Sequence, residues 1–149
     1  MSDTKIPVRR FADYRWEETD LLAYKEEGAA PFKSITRQTL FRHPEMKGEL
    51  RYFEMAPDGY STLERHQHVH AVLILRGHGQ VMVGGEVFDI AQNDLVTIEP
   101  MTWHQFRANA GEAMGFLCMV NVERDKPQLP SEDERAALAA DPKVATFFA

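Results

Sequence analysis

Residues 59–79 read GYSTLERHQHVHAVLILRGHG. Glu64, His66, His68 and His70 occupy alternate positions just before the apolar run Ala71 to Leu75, so three of the chain's six histidines fall within five residues. In an extended strand, side chains two apart share a face and the rise is about 3.3 Å per residue, so the imidazoles and the carboxylate converge on one point. A strand facing only solvent gains nothing from that arrangement.

The flanking sequence places this stretch in a series of short strands. Upstream, SITRQTLF from Ser34 and LRYFEMA from Leu50 flank a break at Pro44 to Gly48 and predict a hairpin. Pro57-Asp58-Gly59 signals a turn, after which Ser61 to His66 and His70 to Arg76 read as two strands with a short irregular piece between them. Downstream, Gln80–Val83, Val87–Ile90 and Leu95–Ile98 are separated by Gly84-Gly85 and Asn93-Asp94. Pro100 closes one strand, and Trp103 to Arg107 opens another that carries His104. Met114 to Val122 is apolar on both alternating faces, which predicts cover on both sides. Strands recurring about every 8–12 residues predict an all-β sandwich or barrel.

The ends of the chain differ from this centre. Residues 1–33 read as an arm with at most a short helical turn, Gly28 and Pro31 punctuating a loop. Residues 34–122 form the barrel and residues 123–149 a helical tail, all within one domain. In the tail, Ser131 and Glu134 form a capping box for a helix from Glu132 to about Ala140. Asp141-Pro142 suits the start of a final turn ending in Phe147-Phe148, an apolar hook for the barrel or a neighbouring subunit.

Composition narrows the function. Among 149 residues the net charge is −6 and no basic block exceeds Arg9-Arg10, which argues against nucleic acid as a partner. The apolar runs are far too short for a membrane span, and MSDTKIPVRR lacks the apolar core of a signal peptide, so neither membrane nor export is expected and the cytoplasm is. Cys118 is the single cysteine, so a metal would be held by His and carboxylate.

Gly59, His66, the strand VLIL, Gly77-x-Gly79 and then Asp94-x5-Pro100-x3-His104 resemble the two paired motifs of the cupin superfamily, over roughly residues 34–122. The resemblance implies a jelly-roll β-barrel with a metal held inside by three histidines and one glutamate. The first motif usually reads His-x-His-x3-Glu-x6-Gly. Aligned on Gly77, its ligand positions are Glu64, His66 and His70, and the second motif adds His104. Carboxylate and imidazole have exchanged places, yet the set still offers three nitrogens and one anionic oxygen. That suits a divalent transition metal, manganese first, with Fe, Co, Ni, Cu or Zn as alternatives. A second register would use His66, His68 and His104 and leave Val72 at the glutamate position. Asn93 and Thr102 stand where glycines are common, and an Asn usual after the second-motif His falls one place late at Asn109.

Other residues take secondary roles. His68, Tyr60 and Gln105 are expected next to the ligands or at the pocket, Trp103 in packing, and His78 in a solvated turn. Lys25, Lys33, Arg37 and Arg51 read as mostly solvated, with one or two available for a substrate phosphate. Cys118 shares a strand face with Phe116 and Val120. Its ordinary role is a small buried hydrophobe; beside a metal, the cation would lower the thiol pKa and make it a nucleophile or sulfur acceptor.

The family resemblance implies a metal-dependent enzyme on a small oxygenated substrate. The segments KSITRQTLF, GELRYFEMAPDGYSTLERH, MTWHQF and FLCMVNVERDKPQLP are more narrowly similar to bacterial cupins that take the methylthio group off 1-methylthioxylulose 5-phosphate, leaving 1-deoxyxylulose 5-phosphate. That likeness implies glutathione or another thiol as a partner. An Fe(II)-type dioxygenase and a non-catalytic ligand-binding cupin are the alternatives. The doubly apolar late strand and the Phe147-Phe148 tail predict a homodimer.

Overall fold

The computed structural model describes residues 6–25 and 30–149. It builds eleven strands and two helices: β1 Phe11–Ala12, β2 Arg15–Trp16, β3 Leu22–Ala23, β4 Lys33–Arg42, β5 Gly48–Tyr60, β6 His70–Arg76, β7 His78–Val83, β8 Glu86–Ala91, β9 Leu95–Ile98, β10 His104–Ala108, β11 Met114–Asn121, α1 Glu132–Leu138 and α2 Pro142–Phe148. Nine strands form one curled antiparallel sheet in the order β8-β7-β10-β5-β11-β6-β9, with β4 on β5 and β3 on β4. The all-β jelly-roll expectation therefore holds. No helix among the described residues is long and apolar enough to cross a membrane.

Register explains how period-two sequence becomes one interior. Cys118 pairs with Arg51 of β5 and Val72 of β6; Val120 pairs with Glu49 and His70; Phe116 pairs with Phe53 and Ile74. Antiparallel partners point to the same side of the sheet, so these rows stack inside the curl. At one end of the curl Met55, Ile74, Met114 and Phe116 form a buried apolar core. Gly77 turns β6 into β7 at φ +79°, and a Cβ there would lie 2.1 Å from the Ala113 carbonyl oxygen, so a side chain is excluded both by strain and by contact.

Several expectations need correction. Pro57-Asp58-Gly59 does not end a strand: β5 continues to Tyr60 through an irregular stretch, with Tyr60 facing Lys33 and Met55 facing Ile35. Ser34 and Asp58 take positive φ there, which absorbs the turn chemistry inside a ladder. Ser61 to His66 is not a strand of its own but an extended segment with single bridges, Glu64 to His104 and Arg65 to Gln128. The outer face of the late strand is covered only in its first half, where Gly115 is buried and Leu117 half-buried; Met119 is 44% exposed, while Phe116, Cys118 and Val120 on the inner face are buried.

The described part of the arm holds no helical turn; it forms three short strands. The loop expected around Gly28 lies outside the described residues, as do the first five residues of the N-terminal stretch. At the other end, Ser131 and Glu134 make the expected capping box. The tail has a second helix where a single turn was expected, capped by Asp141; its Val144 and Phe147 pack with Leu63 and Met82.

Candidate metal centre

Two distant segments are tied together at the site. The Glu64 N–H donates to the His104 carbonyl and the His104 N–H to the Glu64 carbonyl, at 3.2 and 3.0 Å. This reciprocal pair sets the second motif against the first. One ring nitrogen each from His66, His70 and His104 then lies within 4.8 Å of the others. His66 and His104 are 1% and 5% exposed.

The outer nitrogens set the tautomers. His66 Nδ1–H donates to the His68 carbonyl at 2.7 Å and His104 Nδ1–H to the Thr102 carbonyl at 2.9 Å, so the Nε2 lone pairs remain free on both rings. His66 Nε2 and His70 Nε2 approach to 2.9 Å. At that separation either His70 donates its N–H to His66 or a cation joins two lone pairs, and the gathering of one nitrogen from each of three buried or half-buried rings is the observation that fits these residues to a metal. Burial, then the neighbouring His104, pushes the His66 pKa down to about 4 and lowers His70 further; burial also lowers His104. All three rings are neutral at pH 7, as metal ligands must be.

Glu64 is buried, with one oxygen 3.6 Å from His66 Nε2 and the other engaged by Lys25 from the arm. His68 lines the same cavity but turns away from the cluster: its Nδ1 meets Asp125 at 2.8 Å and its ring stacks on His66 at 3.6 Å. The N–H groups of Gln67 and His68 also donate to Asp125, and these bonds hold its carboxyl below the usual carboxylate range.

Tyr60 and Gln105, expected at the pocket, do not line it. Alternation along β10 sends Gln105 to the side opposite His104, where its amide donates to the Ser61 carbonyl at 2.8 Å. Tyr60 lies under the Arg107 guanidinium. Trp103 packs in the outer apolar cluster beneath Arg65. His78 is the first residue of β7, exposed and 2.9 Å from Glu112.

The cluster opens into a cavity of about 240 Å³ whose lining includes Tyr24, Lys25, Arg37, Arg51, Cys118 and Arg124. Cys118 is 1% exposed, with Sγ 3.1 Å from His70 Nδ1 and 3.7 Å from Arg51 Nη2. Burial pushes its thiol pKa up and Arg51 opposes that shift. With a cation on His70 Nε2, His70 Nδ1–H would donate to the sulfur. An imidazole and a guanidinium thus face one buried sulfur at the cavity wall. Arg51 is itself buried, not solvated as its sequence context suggested, and Arg37 is half-buried. Spacing gave no sign of Tyr24, Arg124 or Asp125, which arrive from segments outside the two motifs.

Comparison with known proteins agrees with this architecture. The cupin domain family model matches residues 51–120. The 1-methylthio-D-xylulose 5-phosphate methylsulfurylase of Rhodospirillum rubrum is 63% identical over 151 residues, covering 99% of this chain and 97% of its own. A crystal structure of a cupin 2 conserved barrel domain protein from Rhodopseudomonas palustris superposes at a TM-score of 0.88 with 54% identity, over 94% of this chain and 97% of that one. A cupin-2 domain structure from Rhodospirillum rubrum gives 0.86 and 61%, over 96% and 97%. In sequence and in backbone superposition alike, the chain belongs to the cupin-2 family.

Proposed function

We propose that this protein removes the methylthio group from 1-methylthio-D-xylulose 5-phosphate, leaving 1-deoxyxylulose 5-phosphate. The observation that carries the reading is Cys118, the lone sulfur nucleophile, 3.1 Å from a histidine of the candidate metal cluster and facing the cavity. A full-length relative of 63% identity with that activity in its name supports it.

His66, His70, His104 and Glu64 would hold a divalent ion, which would polarise the substrate ketone and stabilise negative charge on its oxygen. Manganese is our assignment, since hard oxygen ligands of a keto-sugar suit it. His70 Nδ1–H and Arg51 stabilise Cys118 as a thiolate. The Cys118 sulfur attacks the methylthio sulfur, the bond from that sulfur to C1 breaks, and its electron pair passes towards the ketone. The proton given up by the thiol ends on C1. Cys118 is left as a mixed disulfide with the methylthio group. Glutathione, or a thiol like it, then attacks that disulfide, carries away the methylthio group as its own mixed disulfide and returns the proton to Cys118. Such chemistry belongs in the reducing cytoplasm. Leu73, Leu95 and Met119, exposed on neighbouring strands, are the face across which two copies would pair as a homodimer.

Cys118→Ser tests the reading. The expected result is loss of turnover of 1-methylthioxylulose 5-phosphate with metal content retained. Unchanged turnover sinks the proposal, and consumption of O₂ coupled to substrate would replace it with oxygenase chemistry.

A further inference from the structure

One wall of the cavity carries more positive charge than its neighbours neutralise. Arg37 of β4 and Arg51 of β5 face inward on adjacent strands, and Arg124 joins them from the segment after β11. Arg51 and Arg124 both reach Glu49, at 3.7 and 2.9 Å, and Arg42 lies 3.9 Å from its other oxygen, so one carboxylate serves three guanidinium groups. The Nε of Arg37 is buried and has no hydrogen-bond partner among the described residues, and the buried Nε of Arg51 has only the 3.7 Å ion pair with Glu49, beyond hydrogen-bond distance. Arg51 as a whole is only 9% exposed. Buried, unpaired guanidinium donors are rare because desolvating them without a partner is costly. Burial and the charges of Arg51 and Arg124 all act against the charged form of Arg37.

An anion entering the cavity would relieve each of these features together. Guanidinium forks match the oxygens of a phosphate monoester in bidentate geometry, which a single Lys does not. We propose that Arg37, Arg51 and Arg124 form the subsite that takes the phosphate group of a sugar-phosphate substrate, separate from the histidine cluster. This rests on the reading of the cavity as the substrate site, and it assigns to particular residues the part of the substrate that the metal does not hold. The wall would also orient the molecule: with its phosphate held by arginines, the keto end is left to reach the histidines that line the same cavity.

The test is calorimetric titration of the metal-loaded protein with xylulose 5-phosphate, xylulose and inorganic phosphate, for wild type, Arg37→Met, Arg37→Lys and Arg124→Met. Metal content and unfolding temperature are checked for each. Wild type is expected to bind xylulose 5-phosphate about 10- to 100-fold more tightly than xylulose, the range set by one or two hydrogen bonds to a charged group. Inorganic phosphate should compete. Arg37→Met should lose most of the preference, Arg37→Lys part of it, and Arg124→Met part of it. Should Arg37→Met fold poorly, Arg37→Lys and Arg124→Met decide. Equal affinity for the two sugars, or variants of native metal content that keep the full preference, would overturn the proposal. Failure here is separable from failure of the reaction. Arginine-dependent sugar-phosphate binding without turnover of 1-methylthioxylulose 5-phosphate keeps the subsite and removes the reaction. Normal turnover with indifferent arginine variants does the reverse.

Discussion

Strands β5, β6 and β11 are buried along their inward face at both ends, yet the two ends carry opposite chemistry. Towards Gly77 the inward side chains are Met55, Ile74, Met114 and Phe116, which pack on one another. Towards Asn121, Glu49, Arg51, His70 and Cys118 stand among the apolar Val72 and Val120 and surround a cavity or its border. Alternation is the same in both halves, and Glu49, Arg51 and Cys118 are buried while His70 is half-buried, so burial by itself does not mark a core. The apolar half completes itself through dispersion contacts and area removed from water. In the polar half, three imidazole nitrogens gather at one point and the buried Arg37 Nε lacks a partner. On our proposals a bound cation and anion complete this second half, whereas the first supplies the stability that holds these groups in place.

The comparison breaks most visibly if the two halves are not separable. The largest effect is expected for His104→Gln: metal affinity should fall by more than about 100-fold, beyond the loss usual for a residue that merely supports a ligand, and activity should disappear with it. Elemental analysis after dialysis measures the first. Ile74→Ala, in the apolar half, should cost about 2–5 kcal/mol in denaturant unfolding while a full complement of metal is still bound. If Ile74→Ala strips the metal as readily as His104→Gln, the division between halves is wrong.

A smaller effect comes from pH. In the metal-free protein His66 and His70 are held below the unfolded value of about 6.5. The unfolded chain therefore takes up protons first on acidification. Their contribution is fully present above the unfolded pKa and is lost as pH falls towards the folded values. The unfolding free energy from urea titration should drop between pH 6.5 and 5.5 by about 1 kcal/mol per histidine, and bound metal should protect against the drop. A flat profile would mean that the rings are not held neutral.

Much of the fold was readable because it is local. Period-two alternation and glycine turns mark β6 to β9, and the Ser131–Glu134 box marks α1, without reference to the rest of the chain. The histidines were conspicuous for the same reason. What escaped depends on contacts distant in sequence. Lys25 reaches Glu64 across 39 residues, and Asp125 reaches His68 across 57. Arg51 looks like any strand-surface base until the register opposite Cys118 turns it inward. Gln105 was placed at the pocket because it adjoins His104, but adjacent strand residues face opposite ways. Met119 was expected under cover because its strand is apolar throughout; the arm's Tyr14 and Trp16 instead cover the neighbouring Tyr52 and leave Met119 open.

The central claim is that the polar half of these strands is a sulfur-transfer site with Cys118 as the acceptor. Intact-mass spectrometry of the metal-loaded protein, mixed with 1-methylthioxylulose 5-phosphate in the absence of any other thiol, tests it most directly. The account predicts one methylthio group in place of one hydrogen on the chain, located at Cys118, released by glutathione and absent in Cys118→Ser. Conversion of substrate with the protein mass unchanged, or turnover by Cys118→Ser, would contradict it.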